Sequence, residues 1–141
     1  MSLMTAIEVG ASGLSAQRRR FEVLVNNLAN ANTTQPAGME PYRRKDVLFS
    51  ATNPETSFEV ALDDAVQGVE ISRVVTDPRE PERRYEPHHA HADKDGYVLY
   101  PNVSAMDEMI NVLSATRSYE ANLQAVNMAK EMQQKTLEIL R

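Results

Sequence analysis

Apolar positions recur at helical spacing at both ends of the chain and at strand spacing between them. In the first arm Ile7, Leu14, Phe21 and Leu28 fall seven apart, Met4, Ala11 and Val25 occupy adjoining positions, and Leu3 and Leu24 widen the stripe. This is a helix period with coiled-coil character. Ser2 or Thr5 is a candidate cap, and Glu8, three residues after Thr5, suggests a capping box. Gly10 and Gly13 lie inside the pattern, each weakening an isolated helix by about 1 kcal/mol relative to Ala. Asn26, Asn27, Asn30 and Asn32 crowd its end. Alone, this arm is a marginal helix.

The last arm carries a longer pattern. Met109, Thr116, Leu123, Lys130 and Leu137 form one series of seven, and Val112, Tyr119, Val126, Gln133 and Leu140 form a companion three residues on. Pro101 and Asn102 precede the run, Ser104 is the expected N-cap, and Asp107 and Glu108 suit the positive end of the helix dipole. A helix of roughly 35 residues is about 50 Å long, longer than a small globule is wide. The two arms are therefore expected to pair, antiparallel or parallel, and still to leave Met106, Leu113, Met128 and Met132 facing water unless other helices cover them.

Between the arms the period shortens to two. Val47 and Phe49, then Phe58, Val60 and Leu62, then Val69, Ile71, Val74 and Val75, and last Tyr97 to Tyr100 read as short strands. Turn signals at Asn53-Pro54, Asp63-Asp64, Asp77-Pro78 and Asp95-Gly96 separate them and favour antiparallel hairpins. Residues 76–95, TDPREPERRYEPHHAHADKD, are polar and proline-rich, and predict an extended loop. The expected fold is α+β and elongated. Residues 1–35 and 102–141 form paired terminal helices, and residues 36–101 form a β-rich middle with the loop.

Composition sharpens that division. All seven prolines lie between Pro36 and Pro101, and the acidity is concentrated there as well. Residues 1–39 carry three basic and two acidic side chains (+1), residues 40–100 eight and thirteen (−5), and residues 101–141 four and five (−1). The chain of 141 residues has a net charge of −5, which argues against a basic nucleic-acid face or a polybasic membrane anchor. Its hydrophobic fraction of 42% lies slightly under the globular norm of about 45–50% and predicts a thin core. The absence of cysteine excludes disulfides and thiolate chemistry. The N-terminal stretch places its arginines after a short, interrupted apolar run, unlike a cleaved Sec-type signal, and no window suits a spanning helix.

Candidate chemistry is sparse. His88, His89 and His91 with Asp93 include an H-x-H pair, but no further ligand or orienting partner is recognisable, and solvated histidines in a polar loop are the simpler reading. Arg18, Arg19 and Arg20 spread over most of a helix circumference, and neither they nor Arg43, Arg44 and Lys45 are interleaved with base-stacking aromatics. A solvated or subunit-facing charge set is expected of both runs. No phosphate loop, nucleophile elbow or zinc-protease helix is present. No catalytic residue, metal or cofactor is expected.

The segment GLSAQRRRFEVLVNNLANANTTQPAGMEPYRRK, Gly13 to Lys45, resembles the N-terminal signature of bacterial flagellar axial proteins. The matching positions are Asn27, Leu28, Ala29, Asn30 and Thr33, with Tyr42 and Arg43 beyond. YVLYPNV at Tyr97 to Val103, and the later run through Tyr119, Glu120, Ala121 and Asn122, are similar to the closing helix of that family. The long interval between Thr33 and Tyr42 differs from the short turn of hook-type members and favours a rod subunit, of the proximal rod.

The resemblance implies a structural protein whose terminal helices pair and pack around a central channel. It implies as partners other copies of the chain, other flagellar rod proteins and the flagellar export apparatus, without nucleic acid or direct membrane insertion. It places the protein in the basal-body rod across the periplasm, reached by type III export without a cleaved signal. Ile7, Leu14, Phe21, Leu24, Leu28, Leu113, Tyr119, Leu123, Val126 and Leu137 are then the expected assembly seam. The Asn-rich string is expected to satisfy backbone groups where the first helix ends, by left-handed geometry or local bonding. A self-contained adaptor, a helical hairpin bearing a small β head, is the competing reading, distinguished by forming a closed complex instead of a repeating lattice.

Overall fold

The computed structural model describes residues 3–52 and 67–139, apart from the side chain of Ile139. Its order is α1 (Leu3–Ala29), β1 (Lys45–Thr52), β2 (Gly68–Thr76), β3 (Glu82–Tyr85), β4 (Tyr97–Tyr100) and α2 (Ala105–Ile139). The fold class is α+β, with one long helix at each end and two antiparallel hairpins, β1-β2 and β3-β4, between them. The strand expected at Phe58 to Leu62, its turns at Asn53-Pro54 and Asp63-Asp64, and the candidate cap Ser2 all lie outside the described residues. Thr5 stands inside α1 and does not cap it.

The helices pair antiparallel. A Cβ placed on Gly10 would collide with Val126, one on Gly13 would come 2.9 Å from the Asn122 amide, and Asn27 bonds Glu108. The paired positions thus keep a nearly constant numerical sum, as an antiparallel register requires. α1 lies between α2 on one side and the β1-β2 hairpin on the other. At about 100° per residue, Gly13 and Leu24 share the side of α1 facing α2, while Ser12 and Ala16 turn toward the strands. Ser12 Oγ donates to Val9 O at 2.7 Å and accepts the Val69 N–H at 3.1 Å, fastening the start of β2 to the helix.

In β1-β2, Val47 faces inward and pairs with Val74, and the register slips between Leu48 and Phe49, leaving Ser72 unpaired as a bulge. The β3-β4 hairpin pairs Glu82 with Tyr100 and Tyr85 with Tyr97. It runs through the segment expected as an extended loop, so residues 76–95 are in part regular structure. Order there comes from side chains bonding the backbone and from stacking. Asp93 Oδ1 accepts the N–H groups of Asp95 and Tyr97 at 2.9 and 2.8 Å. Gly96 supplies a φ of 82°, in a position where a Cβ would press on Tyr85 and Pro87. Arg83 and Arg84 lie over the rings of Tyr97 and Tyr100 at 4.7 and 4.5 Å. None of this needs the apolar content that composition measures.

Asp77 and Arg79 close the approach to β3 with a short ion pair, and the hydrogen bonds from Arg79 hold the Asp77 carboxyl down at about 2. Ser104 caps α2 as expected, its Oγ accepting the Asp107 N–H at 3.3 Å. The buried apolar side chains are short, alanines and valines for the most part, with Leu24 the largest. The thin core expected from composition is seen in the packing.

Candidate assembly site

Where α1 ends, α2 begins and β1 departs, four polar side chains meet. Asn27 is fully buried. Its Nδ2 donates to Lys45 O at 2.7 Å and to Glu108 Oε2 at 3.1 Å, while its Oδ1 accepts from the Tyr42 hydroxyl at 2.8 Å and the Lys45 N–H at 3.0 Å. The side chain thereby mimics a neighbouring strand for Lys45, and both donors and both acceptor positions of its amide are filled. Glu108, also buried, takes Arg44 Nε on Oε1 at 2.7 Å. Arg44 reaches on to Asp46 at 3.0 Å, and its N–H donates to Asn102 Oδ1.

Burial lowers the Arg44 guanidinium, but hydrogen bonds and charge from Glu108 and Asp46 outweigh it and leave the group raised. Burial, then the Glu108 charge, pushes the Tyr42 hydroxyl up. Both groups stay in the protonated form that the node needs. It joins both helices to the first strand through one buried, satisfied network.

The expected site residues divide around this node. Of the motif, Asn27 and Tyr42 are in it, and Asn30 donates its side-chain amide to Asn26 O at 2.8 Å while its backbone carbonyl accepts the Thr33 N–H. Leu28 is half-buried, Ala29 exposed, and Asn122 packs on Gly13, while Glu120 and Ala121 face water. Left-handed asparagine geometry does not occur among the described residues, where only Gly38 and Gly96 have positive φ. Asn27 satisfies a strand's backbone, and only Asn30 serves the helix end.

Of the seam, Leu24 and Val126 are buried, Ile7 and Leu14 are half-buried, and Phe21, Leu113, Tyr119, Leu123 and Leu137 are exposed. The companion series through Val112, Tyr119 and Val126 follows the face toward α1. The other series does not, because the stripe that meets α1 is Glu108, Ala115, Asn122 and Ala129, one residue earlier than Met109, Thr116, Leu123 and Lys130. Gly10 is met by Val126, which the apolar pattern includes, but Gly13 is met by the polar Asn122, which large apolar spacing passes over. Arg44 is likewise internal, against the expectation that its run is solvated or subunit-facing. Arg18 and Arg19 do face water, sharing Glu22 at 3.4 and 3.5 Å.

Two of the three histidines are drawn into loop structure. His91 Nδ1 bonds Thr34 Oγ1 at 2.8 Å, and its backbone N–H donates to His89 Nδ1 at 3.0 Å. Among the described residues no group of three or more candidate ligands is arranged to hold a metal, and no helix is long and apolar enough to cross a membrane.

On the open sides of the helix pair the large apolar side chains remain uncovered. Met106, Met109, Ile110 and Leu113 are each more than half exposed at the start of α2, and Met128, Met132 and Leu137 toward its end. At the seam Gln17, Arg18, Phe21, Ala115, Thr116 and Tyr119 line a notch of about 250 Å³, where Gln17 Oε1 is buried without a donor. Such surfaces suit protein contact and offer no reaction centre.

Residues 7–36 match the family described as flagella basal body rod protein, and residues 94–139 match the C-terminal family of the flagellar basal body rod FlgEFG protein. Flagellar basal-body rod protein FlgC of Salmonella typhimurium strain LT2 is 37% identical over 137 residues, spanning 97% of both chains. The FlgC proteins of Borreliella burgdorferi and Bacillus subtilis strain 168 are 37% and 39% identical over 150 residues, each spanning 99% of both chains. With all of α2 and all but the first four residues of α1 inside the matched regions, and the likeness running through the middle segment, the chain belongs to the family of flagellar basal-body rod proteins FlgC.

Proposed function

We propose that the chain is a structural, non-catalytic subunit of the flagellar basal-body rod. It assembles with further copies and other rod proteins into a helical, hollow shaft that crosses the periplasm, transmits torque and passes export substrates. Contacts between unlike surfaces that do not close on themselves generate such a helical array. The observation that carries the reading is the pairing of the two family-matched helices with their large apolar side chains turned outward. A monomer with Met106, Ile110, Leu113, Leu123 and Met128 in water lacks cover, and neighbouring helices supply it.

The assembly seam in this reading is the exposed part of the expected set, Phe21, Leu113, Tyr119, Leu123 and Leu137, backed by the half-buried Ile7, Leu14 and Leu28 and the buried Leu24 and Val126. The export apparatus handles the chain before assembly, by the type III route. The absence of cysteine suits a chain assembled outside the reducing cytoplasm, where a thiol could cross-link.

Leu123→Asp tests the seam. Leu123 is 41% exposed, so the substitution leaves the helical circular dichroism of the purified chain unchanged while removing it from isolated basal bodies and abolishing swimming. Normal incorporation and motility would overturn the seam assignment.

A further inference from the structure

We propose that the seam notch of one copy receives the outward face at the start of α2 of the next copy. This rests on the rod reading and names the contact through which copies of this chain meet. Met106, Met109, Ile110 and Leu113 have the i, i+3, i+4, i+7 spacing of a helix that seats in a groove. At about 100° per residue they occupy one side of α2, roughly opposite the Glu108, Ala115 and Val126 side that packs on α1. Their exposures run from 55 to 73%.

The notch opens about a third of a turn around the same helix, walled by Phe21 and Tyr119 and floored by Ala115. At about 250 Å³ it is smaller than the roughly 300–1,000 Å³ of small-molecule sites and lies open along the helix pair, as a groove for side-chain knobs should. The rims are of opposite charge: Arg18, which with Arg19 shares the single carboxylate of Glu22 and leaves a positive excess, borders the notch, and Asp107 borders the knob face. Because the two surfaces differ and both belong to every copy, each chain gives one contact and receives another. The contact is heterologous, the kind that builds an open helical array when its rotation does not close into a ring, as a rod requires.

The cysteine-free chain permits a direct test. A chain carrying both Ile110→Cys, in the knob face, and Thr116→Cys, in the notch, is oxidised in assembled basal bodies. The two positions lie about 9 Å apart along one helix, beyond the roughly 7 Å Cα limit for a disulfide, so cross-links form only between copies. The expected result is a ladder of dimers and longer multimers, with neither single variant linking to itself. Basal bodies that contain the double variant and yield no ladder, or self-linking by one single variant, would overturn the contact while leaving the rod reading intact. Absence of the tagged wild-type chain from basal bodies would instead sink that reading.

If the cysteine variants do not enter basal bodies, charge exchange decides. Arg18→Glu and Asp107→Arg each reduce swimming and incorporation, and together restore both. Losses that merely add in the double variant overturn the contact.

Discussion

Asn27 uses every hydrogen-bonding position of its amide inside the protein, and its three partner residues come from two distant parts of the chain. Replacing it with Ala strands the Lys45 N–H and C=O, the Tyr42 hydroxyl and one oxygen of a buried carboxylate. Orphaned buried groups of this kind cost about 1–3 kcal/mol each where water cannot reach them. Asn27→Ala should therefore destabilise the chain by on the order of 3 kcal/mol, read as a fall in the urea midpoint at unchanged slope. A loss below about 1 kcal/mol would show that the node is open to solvent. The sequence marked Asn27 and Tyr42 only through their place in a family motif, and it marked Glu108 only as a first-turn acid. Their contacts join residues 15 to 81 positions apart, a separation that periodicity does not register. Arg44 was obscured further, because a run of three basic residues looks solvated until a buried carboxylate is placed beside one of them.

At the scale of elements, both helices, the strands at Val47, Val69 and Tyr97, and the Ser104 cap follow directly from spacing. The face of α2 that meets α1 does not, since hydropathy favours Leu123 over Ala115 and Asn122. Glycine decides the matter. Gly10 and Gly13, which weaken α1 as a helix in isolation, stand where α2 leaves no room for a Cβ. Gly10→Ala makes the distinction measurable. Helix propensity alone predicts a gain of about 1 kcal/mol. The added methyl group meets Val126, a buried β-branched residue with little rotamer freedom in a helix. The expected outcome is a lower thermal midpoint, whereas a higher one would mean that the helices separate at little cost. β3 escaped prediction for a different reason, because stacked arginines and backbone-bonding carboxylates order a segment that hydropathy counts as loop.

The whole molecule is held most firmly at the end where both helices meet the strands, and support along α2 declines from there. Leu24, Asn27, Ala115 and Glu108 are buried near that end, whereas Ala129 is the last buried position among the described side chains of α2, and residues 131–138 are all exposed. Leu137 continues the line of Val126 along the helix yet stands 63% exposed, with no described segment of the chain covering it. A helix segment of two turns without tertiary contact has only its own propensity to hold it, which is marginal in water. Amide exchange in the isolated chain should therefore be slow across residues 108–126 and fast beyond residue 130, and the fast segment should become protected in assembled rods, where neighbours would supply the missing cover. Uniform protection along α2 in the monomer would mean that the last turns are stable without partners. Uniformly fast exchange would mean that the helix pair itself forms only on assembly and that the buried node at Asn27 cannot hold it alone.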